Sequence, residues 1–239
     1  MIRLQKQAQE IGIVLTDEQI NKFQIYYDRL VETNKVMNLT AITELEEVIS
    51  KHFMDSLLLA KAYPDVIEQK WKVLDLGTGA GFPGIPLKIA FPNLQITLMD
   101  SLNKRVKFLQ SVIDELKLCD IEAVHGRAEE AARNAAYREQ FDLCVSRAVA
   151  NLATLSEYTL PFVKVGGMCI PYKAAEVEEE VDTAKRAIQV LGGKLTAVKK
   201  VALPETEIER SFILINKIKK TPKTYPRKPG TASKEPIHS

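Results

Sequence analysis

The chain of 239 residues has the length of one α/β domain with a modest extension, and its 46% hydrophobic content suits a globular core, not a disordered chain. Cys119, Cys144 and Cys169 form no C-x-x-C pair and two of them lie in apolar runs, so free thiols, a reducing compartment and no metal site are expected. The net charge of +2 is uneven: seven basic residues against Glu235 between Lys217 and Ser239 give a local +6, which leaves −4 elsewhere and predicts a polyanionic partner.

The opening MIRLQKQAQEIG lacks the apolar stretch and cleavage site of a signal peptide. No run approaches the roughly 18 apolar residues of a membrane span. A cytoplasmic protein without membrane contact is expected. Residues 1–66 read as an N-terminal helical subdomain. LTDEQINKFQIYYDRLVETNK opens with a capping box, Thr16 and Gln19, and places Ile20, Phe23, Tyr27, Leu30 and Val31 on one face. ITELEEVISKHFMDSLLLAKAYP opens with a second box, Thr43 and Glu46, and runs to Pro64.

Over 67–218 the pattern changes to short apolar strands: WKVLDL, QITLMD, IEAVHG, FDLCVS and GGMCIPYK. Helical segments separate them, including SLNKRVKFLQSVIDELKL, LATLSEYTLPFVKV and AEVEEEVDTAKRAIQVLGG. This alternation predicts a mostly parallel sheet with helices on both faces. KLTAVKKVAL and RSFILINKI then follow one another without a helix, which predicts a hairpin and one late antiparallel strand. A seven-stranded, Rossmann-like α/β fold is expected, and the hairpin ending favours its class I S-adenosylmethionine-dependent methyltransferase version over a nicotinamide-binding fold of six parallel strands. Residues 219–239 are rich in Pro, Lys, Ser and Thr without an apolar period, and read as a basic extended tail without core.

VLDLGTGAGFPGIPL carries two overlapping signatures. From Gly79 it spells the dinucleotide fingerprint G-x-G-x-x-G, and from Asp75 it spells D-x-G-x-G-x-G through Gly77, Gly79 and Gly81. In the second frame the loop begins as soon as the strand ends, and Asp75 would repel a pyrophosphate but attract the ammonium of a methionine moiety, directly or through water. Glycines let the backbone approach such a ligand closely. Asp100 ends the second strand, where a carboxylate accepts ribose hydroxyls or simply precedes a helix. Ala128 and Glu129, after the third strand, are placed for an adenine and its exocyclic amine, or begin a solvated helix. S-adenosylmethionine is the expected cofactor.

The fourth strand, FDLCVSRAVANL, should face the transferred methyl. Ser146-Arg147-Ala148 replaces the Asn/Asp-Pro-Pro-aromatic turn of enzymes that methylate exocyclic amines. Cys144 lies inside the strand and reads as core, not as a nucleophile. Arg147 offers a donor fork for a carboxylate, a phosphate or a guanine edge, or a salt bridge to a nearby acid. A ring nitrogen with a free lone pair needs alignment and no general base. His52 and Asp55, in KHFMDSL, could reach the site from the helical subdomain.

NLTAI, KHFMDSL, VLDLGTGAGFPGIPL, DSLNKRVKFL, GRAEE, VSRAVANL and PRKPGTASKEP together resemble the ribosomal RNA small subunit methyltransferase G family, also called the glucose-inhibited division protein B family. The resemblance covers most of the chain. It implies methyl transfer from S-adenosylmethionine to N7 of a guanine in the decoding-region loop of 16S ribosomal RNA. It also implies donor contacts by Gly77 and Phe82, adenine contacts by Ala128 and Glu129, and Arg147 beside the reacting end as the catalytic candidate. Asp100 matches the ribose position. RNA is expected on His52, Lys173, Lys220, Lys223, Arg227 and Lys228, with naked RNA, the small subunit or an assembly intermediate as partner and a monomeric enzyme. Two other readings stay open on the residues: a nicotinamide-dependent oxidoreductase, and a donor-binding, RNA-associated regulator without catalysis.

Overall fold

Helix α1 (Ile2–Glu10) leads to α2 (Asp17–Met37) in a computed structural model that describes residues 1–237. The Thr16 capping box forms in both directions: Gln19 N donates to Thr16 Oγ1 over 3.2 Å and Thr16 N to Gln19 Oε1 over 2.8 Å. The buried stripe of α2 is Phe23, Tyr26 and Leu30, with Tyr27 and Val31 at its margin. Tyr26 takes the inner place because its hydroxyl donates to Ala80 O, 2.5 Å away in the glycine loop.

The second helical run is segmented into α3 (Leu45–Val48), a π-helical turn (Ile49–Met54), α4 (Asp55–Leu57) and α5 (Leu59–Ala62). Its expected capping box does not form. Glu44 occupies the cap position, and Glu46 is drawn to Arg3, 2.8 Å from its guanidinium. A 3₁₀ turn, Pro64–Ile67, then leads to the sheet.

The sheet elements, in chain order, are β1 (Lys72–Leu76), α6 (Gly84–Ala90), β2 (Gln95–Asp100), α7 (Asn103–Glu115), β3 (Ile121–His125), α8 (Ala128–Ala131), β4 (Phe141–Arg147), α9 (Leu152–Thr159), β5 (Val163–Ala174), α10 (Glu178–Val190), β6 (Gly193–Ala202) and β7 (Glu209–Lys217). The seven strands lie in the order β3-β2-β1-β4-β5-β7-β6. β7 is antiparallel to both neighbours, and the other pairings are parallel. This is the mostly parallel sheet with a late antiparallel strand that the strand pattern predicts. The helix read over LATLSEYTLPFVKV is shorter than expected, because a 3₁₀ turn at Leu160–Phe162 ends it and Val163 already belongs to β5.

One buried cluster joins the N-terminal helices, α6 and α7 to one face of the sheet; a second joins α9 and α10 to the other. Chain order reverses at β1, whose two neighbours are β2 and β4, so their carboxyl ends open a crevice there.

The segment after β7 is not an extended tail. Arg138 donates to Thr221 O and Tyr225 O, both over 2.9 Å, and Arg133 to Pro226 O over 2.5 Å. A short helix, α11 (Thr231–Lys234), closes it against α9. Order here comes from donors on the body rather than from an apolar stripe. The last two residues, His238 and Ser239, lie outside the described residues. Among the described residues no helix is long and apolar enough to cross a membrane.

Candidate active site

The β1 end is built around Asp75. Its carboxylate is fully buried and Oδ2 accepts from Thr78 Oγ1 (2.6 Å) and Gly84 N (2.8 Å), while Oδ1 has no partner among the described residues. Burial pushes its pKa up to about 6, against the pull of those two hydrogen bonds. Gly84, the last glycine of the other frame, serves the same turn: a Cβ there would meet Leu98 Cδ2 at 2.2 Å. Both frames are thus used, one for helix–strand contact and one for the loop itself.

A cavity of about 320 Å³ lies over the carboxyl ends of β1, β2 and β3, walled by Gly77, Asp100, Ala128, Glu129, Val149 and Tyr158 among others. Gly77 has φ +70°, and a Cβ on it would fall 2.4 Å from Val149 Cγ2. Asp100, buried in the wall, accepts from Gly79 N (3.0 Å) and from Leu102 N (2.9 Å) at the start of α7. It is therefore tied to the glycine loop and to the turn before α7, and faces the cavity at once. Glu129 is 4% exposed, so it does not begin a solvated helix; its Oε1 accepts from Gly230 N over 3.0 Å. Asp75, Gly79, Gly81, Phe82 and Arg147, also expected at the donor, do not line this cavity. The volume, the carboxylate at the second strand and the glycine-cleared floor fit S-adenosylmethionine.

A second cavity of about 440 Å³ adjoins it, and Ala148 lines both. His52, Asp55, Arg147, Tyr172, Lys173 and Arg210 form much of its wall. Asp55 is fully buried between two guanidiniums: Arg147 Nη1 reaches Oδ2 and Arg210 Nε reaches Oδ1, each over 2.6 Å. Arg147 thus makes the salt bridge that was one of its two expected roles. Its Nη2 faces His52 Nδ1 at 3.3 Å, and the guanidinium lies 5.1 Å from the Phe82 ring centre. His52 stacks on the other partner of that group, Phe82, at 4.5 Å between ring centres. Burial, and then the Arg147 charge, lower the His52 pKa to about 4. The π-helical turn places His52 here, as such turns often do at functional sites.

The residues expected to meet RNA do not share one environment. Lys220, Lys223 and Lys228 are exposed. Arg227 is turned inward onto the buried Glu157, with Nη2 2.7 Å from Oε2, so its fork is not presented to a phosphate. Lys173 Nζ is engaged by Ala150 O (2.7 Å) and Glu180 Oε1 (2.6 Å). Because Glu180 also accepts from Leu152 N over 2.5 Å, the pair ties down the loop after β4. His52 is mostly buried and lies in the second cavity. Cys144 and Cys169 are buried, whereas Cys119 is exposed.

Sequence reasoning missed Val149, Tyr158, Arg210, Glu180 and Gly230: Val149 lies in VSRAVANL and Gly230 in PRKPGTASKEP without having been singled out there, and the other three sit in no motif. Asp55 was signalled by KHFMDSL, but its two arginine partners come from β4 and β7, 92 and 155 residues away.

Comparison with known proteins agrees with this geometry. The family described as rRNA small subunit methyltransferase G matches residues 19–210. A ribosomal RNA small subunit methyltransferase G of Lachnoclostridium phytofermentans is 56% identical over 227 residues, covering 95% of this chain and 93% of the relative. The protein of that name from Alkaliphilus metalliredigens is 52% identical over 230 residues, covering 96% and 95%. Among solved structures, a mutant of MtNAS in complex with S-adenosylmethionine matches with a TM-score of 0.53 at 15% identity, over 90% of this chain and 77% of that one. TYW2 of M. jannaschii in complex with AdoMet matches with a TM-score of 0.51 at 15% identity, over 69% and 77%. At such identity these two structures speak to the fold, whereas the sequence matches, together with the paired cavities, show that the chain belongs to the rRNA small subunit methyltransferase G family.

Proposed function

We propose that the protein transfers a methyl group from S-adenosylmethionine to N7 of a guanine in 16S ribosomal RNA, by positioning and without a general base. The observation that carries this reading is the pair of cavities meeting at Ala148, one with carboxylates for a nucleoside and one walled by cations. When bound, the donor supplies a methyl group already activated on a sulfonium.

The chain's part is orientation. Asp100 is held by Gly79 and Leu102 N–H groups, so its acceptor direction is fixed before a ribose arrives. In the second cavity Asp55 is neutralised by Arg147 and Arg210, and Glu180, outside its wall, by Lys173, so neither carboxylate is a free base. His52, with its pKa near 4, is neutral at physiological pH and only a weak base, and its two ring nitrogens are occupied by Thr40 and Arg147. A guanine N7 has no proton to lose, and its lone pair must remain unbound to act as nucleophile. Arg147 would therefore donate to O6 and leave N7 free. Exposed Lys220, Lys223 and Lys228 supply positive charge for flanking phosphates.

The decisive experiment incubates unmethylated 16S RNA, free and within small subunits, with labelled donor and maps the label. Label on guanine N7, with a single-turnover rate nearly flat between pH 6.5 and 8.5, supports the proposal. Label on another atom, or a bell-shaped profile, would overturn it. Donor binding without transfer to either form of RNA would point to a regulator.

A further inference from the structure

The segment 219–237 is fastened along its length to the body on the donor side of the sheet. Lys217 Nζ, at the end of β7, bonds Thr221 Oγ1 over 2.8 Å, and that hydroxyl donates to Leu191 O over 2.7 Å. Arg138 and Arg133 then hold the carbonyls of Thr221, Tyr225 and Pro226. At Arg227 the attachment becomes ionic. Its backbone N and its guanidinium both reach Glu157, which is 1% exposed, through bonds of 2.7 to 3.1 Å. Thr154 Oγ1 takes Ala232 O over 2.9 Å. Thr154 and Glu157 lie on α9, and the next residue of that helix, Tyr158, walls the donor cavity.

One bond of this segment reaches the cavity wall itself. Gly230, at φ +82°, turns its N–H onto Glu129 Oε1. A buried carboxylate without a fixed partner has no fixed direction, and leaving it unsatisfied is costly. Here Oε1 is held by the backbone of a segment about 100 residues distant, with the Arg127 guanidinium 3.8 Å from the same oxygen, and Oε2 has no hydrogen-bond partner among the described residues. We infer that residues 227–237 are a working part of the donor site: Gly230, anchored through Arg227 and Glu157, is a positioning residue that aims Glu129 at the exocyclic amine of the adenine. This rests on the S-adenosylmethionine reading of the cavity.

The consequence is amine selectivity that depends on the C-terminal segment. The test uses the product, S-adenosylhomocysteine, and its deaminated analogue, in which a 6-oxo group replaces the amine. Calorimetry without RNA gives both affinities for three proteins. These are the wild type, the chain ended after Pro226 and carrying Glu157→Gln, and the full-length double variant Glu157→Gln/Arg227→Gln. Glu157→Gln avoids an unpaired buried charge in both variants.

The wild type should prefer the amine by about tenfold or more, the worth of one charge-assisted hydrogen bond. In both variants that preference should collapse toward unity, with S-adenosylhomocysteine affinity down by about tenfold. Variants that fold and retain wild-type preference overturn the inference, because the segment would then only stabilise the fold. If the truncated chain does not fold, the full-length double variant decides alone. A wild type that binds neither ligand refutes the donor reading instead.

Discussion

Replacing Asp55 with asparagine removes one negative charge from between two cations and changes almost no volume. Arg147 and Arg210 each sit 2.6 Å from a different oxygen of a carboxylate with no exposure. An asparagine carbonyl can accept from one guanidinium, but its amide then points N–H groups at the other. Removing one partner of a buried pair costs about 3–5 kcal/mol. The two arginines keep 15% and 26% of their side chains exposed, which restores some hydration and places the loss near about 3 kcal/mol. For a chain of this size that corresponds to a fall of about 6–12 °C in Tm. Urea unfolding of wild type and Asp55→Asn at pH 7.5, followed by circular dichroism, measures it. The donor cavity is walled by other residues, so donor affinity should stay within about twofold, while transfer at saturating donor falls at least about tenfold as Arg147 loses its anchor. A loss of stability below about 1 kcal/mol would refute the reasoning, since it would mean that the arginines need no carboxylate between them.

Gly77→Val should weaken donor binding by at least about tenfold, since the new Cβ would start 2.4 Å from Val149 Cγ2 and push that side chain into the cavity. The left-handed φ of +70° adds a stability loss of about 1–2 kcal/mol, and wild-type affinity by calorimetry would refute the first claim. Asp75, raised from 3.8 to about 6 by burial, adds to stability below pH 3.8 and loses that contribution as pH rises through about 6. If a donor ammonium ionises it, binding at pH 6 should release about half a proton; equal heats in two buffers of different ionisation enthalpy at pH 6 would refute this. His52 has the opposite sign: its pKa, lowered from 6.5 to about 4, removes stability as pH falls from 6.5 toward 4, and Asp75→Asn should reveal this loss unopposed in acid unfolding. Lys173→Met should slow transfer by loosening the loop at Ala150 without changing the salt dependence of RNA affinity; a slope flatter by about 0.7 would instead mean that Lys173 holds a phosphate.

What was legible in the sequence is what local patterning controls. Seven apolar runs give seven strands, and the missing helix between the last two identifies the antiparallel strand. Gly77, Asp100, Ala128 and Glu129 could be gathered because a parallel sheet brings consecutive strand ends to one crevice. Long-range competition was not legible. Thr43 and Glu46 have the spacing of a capping box, yet Arg3 takes Glu46. Residues 219–237 have the composition of a disordered tail, and their order is imposed by Arg133, Arg138 and Glu157, whose partners are backbone carbonyls and one inward-facing arginine. Charge counting over the tail placed Arg227 among RNA contacts because it cannot see that a cation is already paired; Lys173, expected there beside the family resemblance, is paired likewise.

Ala148 lines both cavities, in the left-handed region at φ +56°. At that point a single residue is the whole thickness of the partition. Widening one chamber there takes space from the other, so the two affinities cannot be tuned independently by changes at this position. The same thinness favours bisubstrate inhibitors. A purine joined to an adenosyl amino acid by a tether of a few atoms that passes Ala148 would place one head in each chamber, and the second head would bind at the high effective concentration set by so short a link.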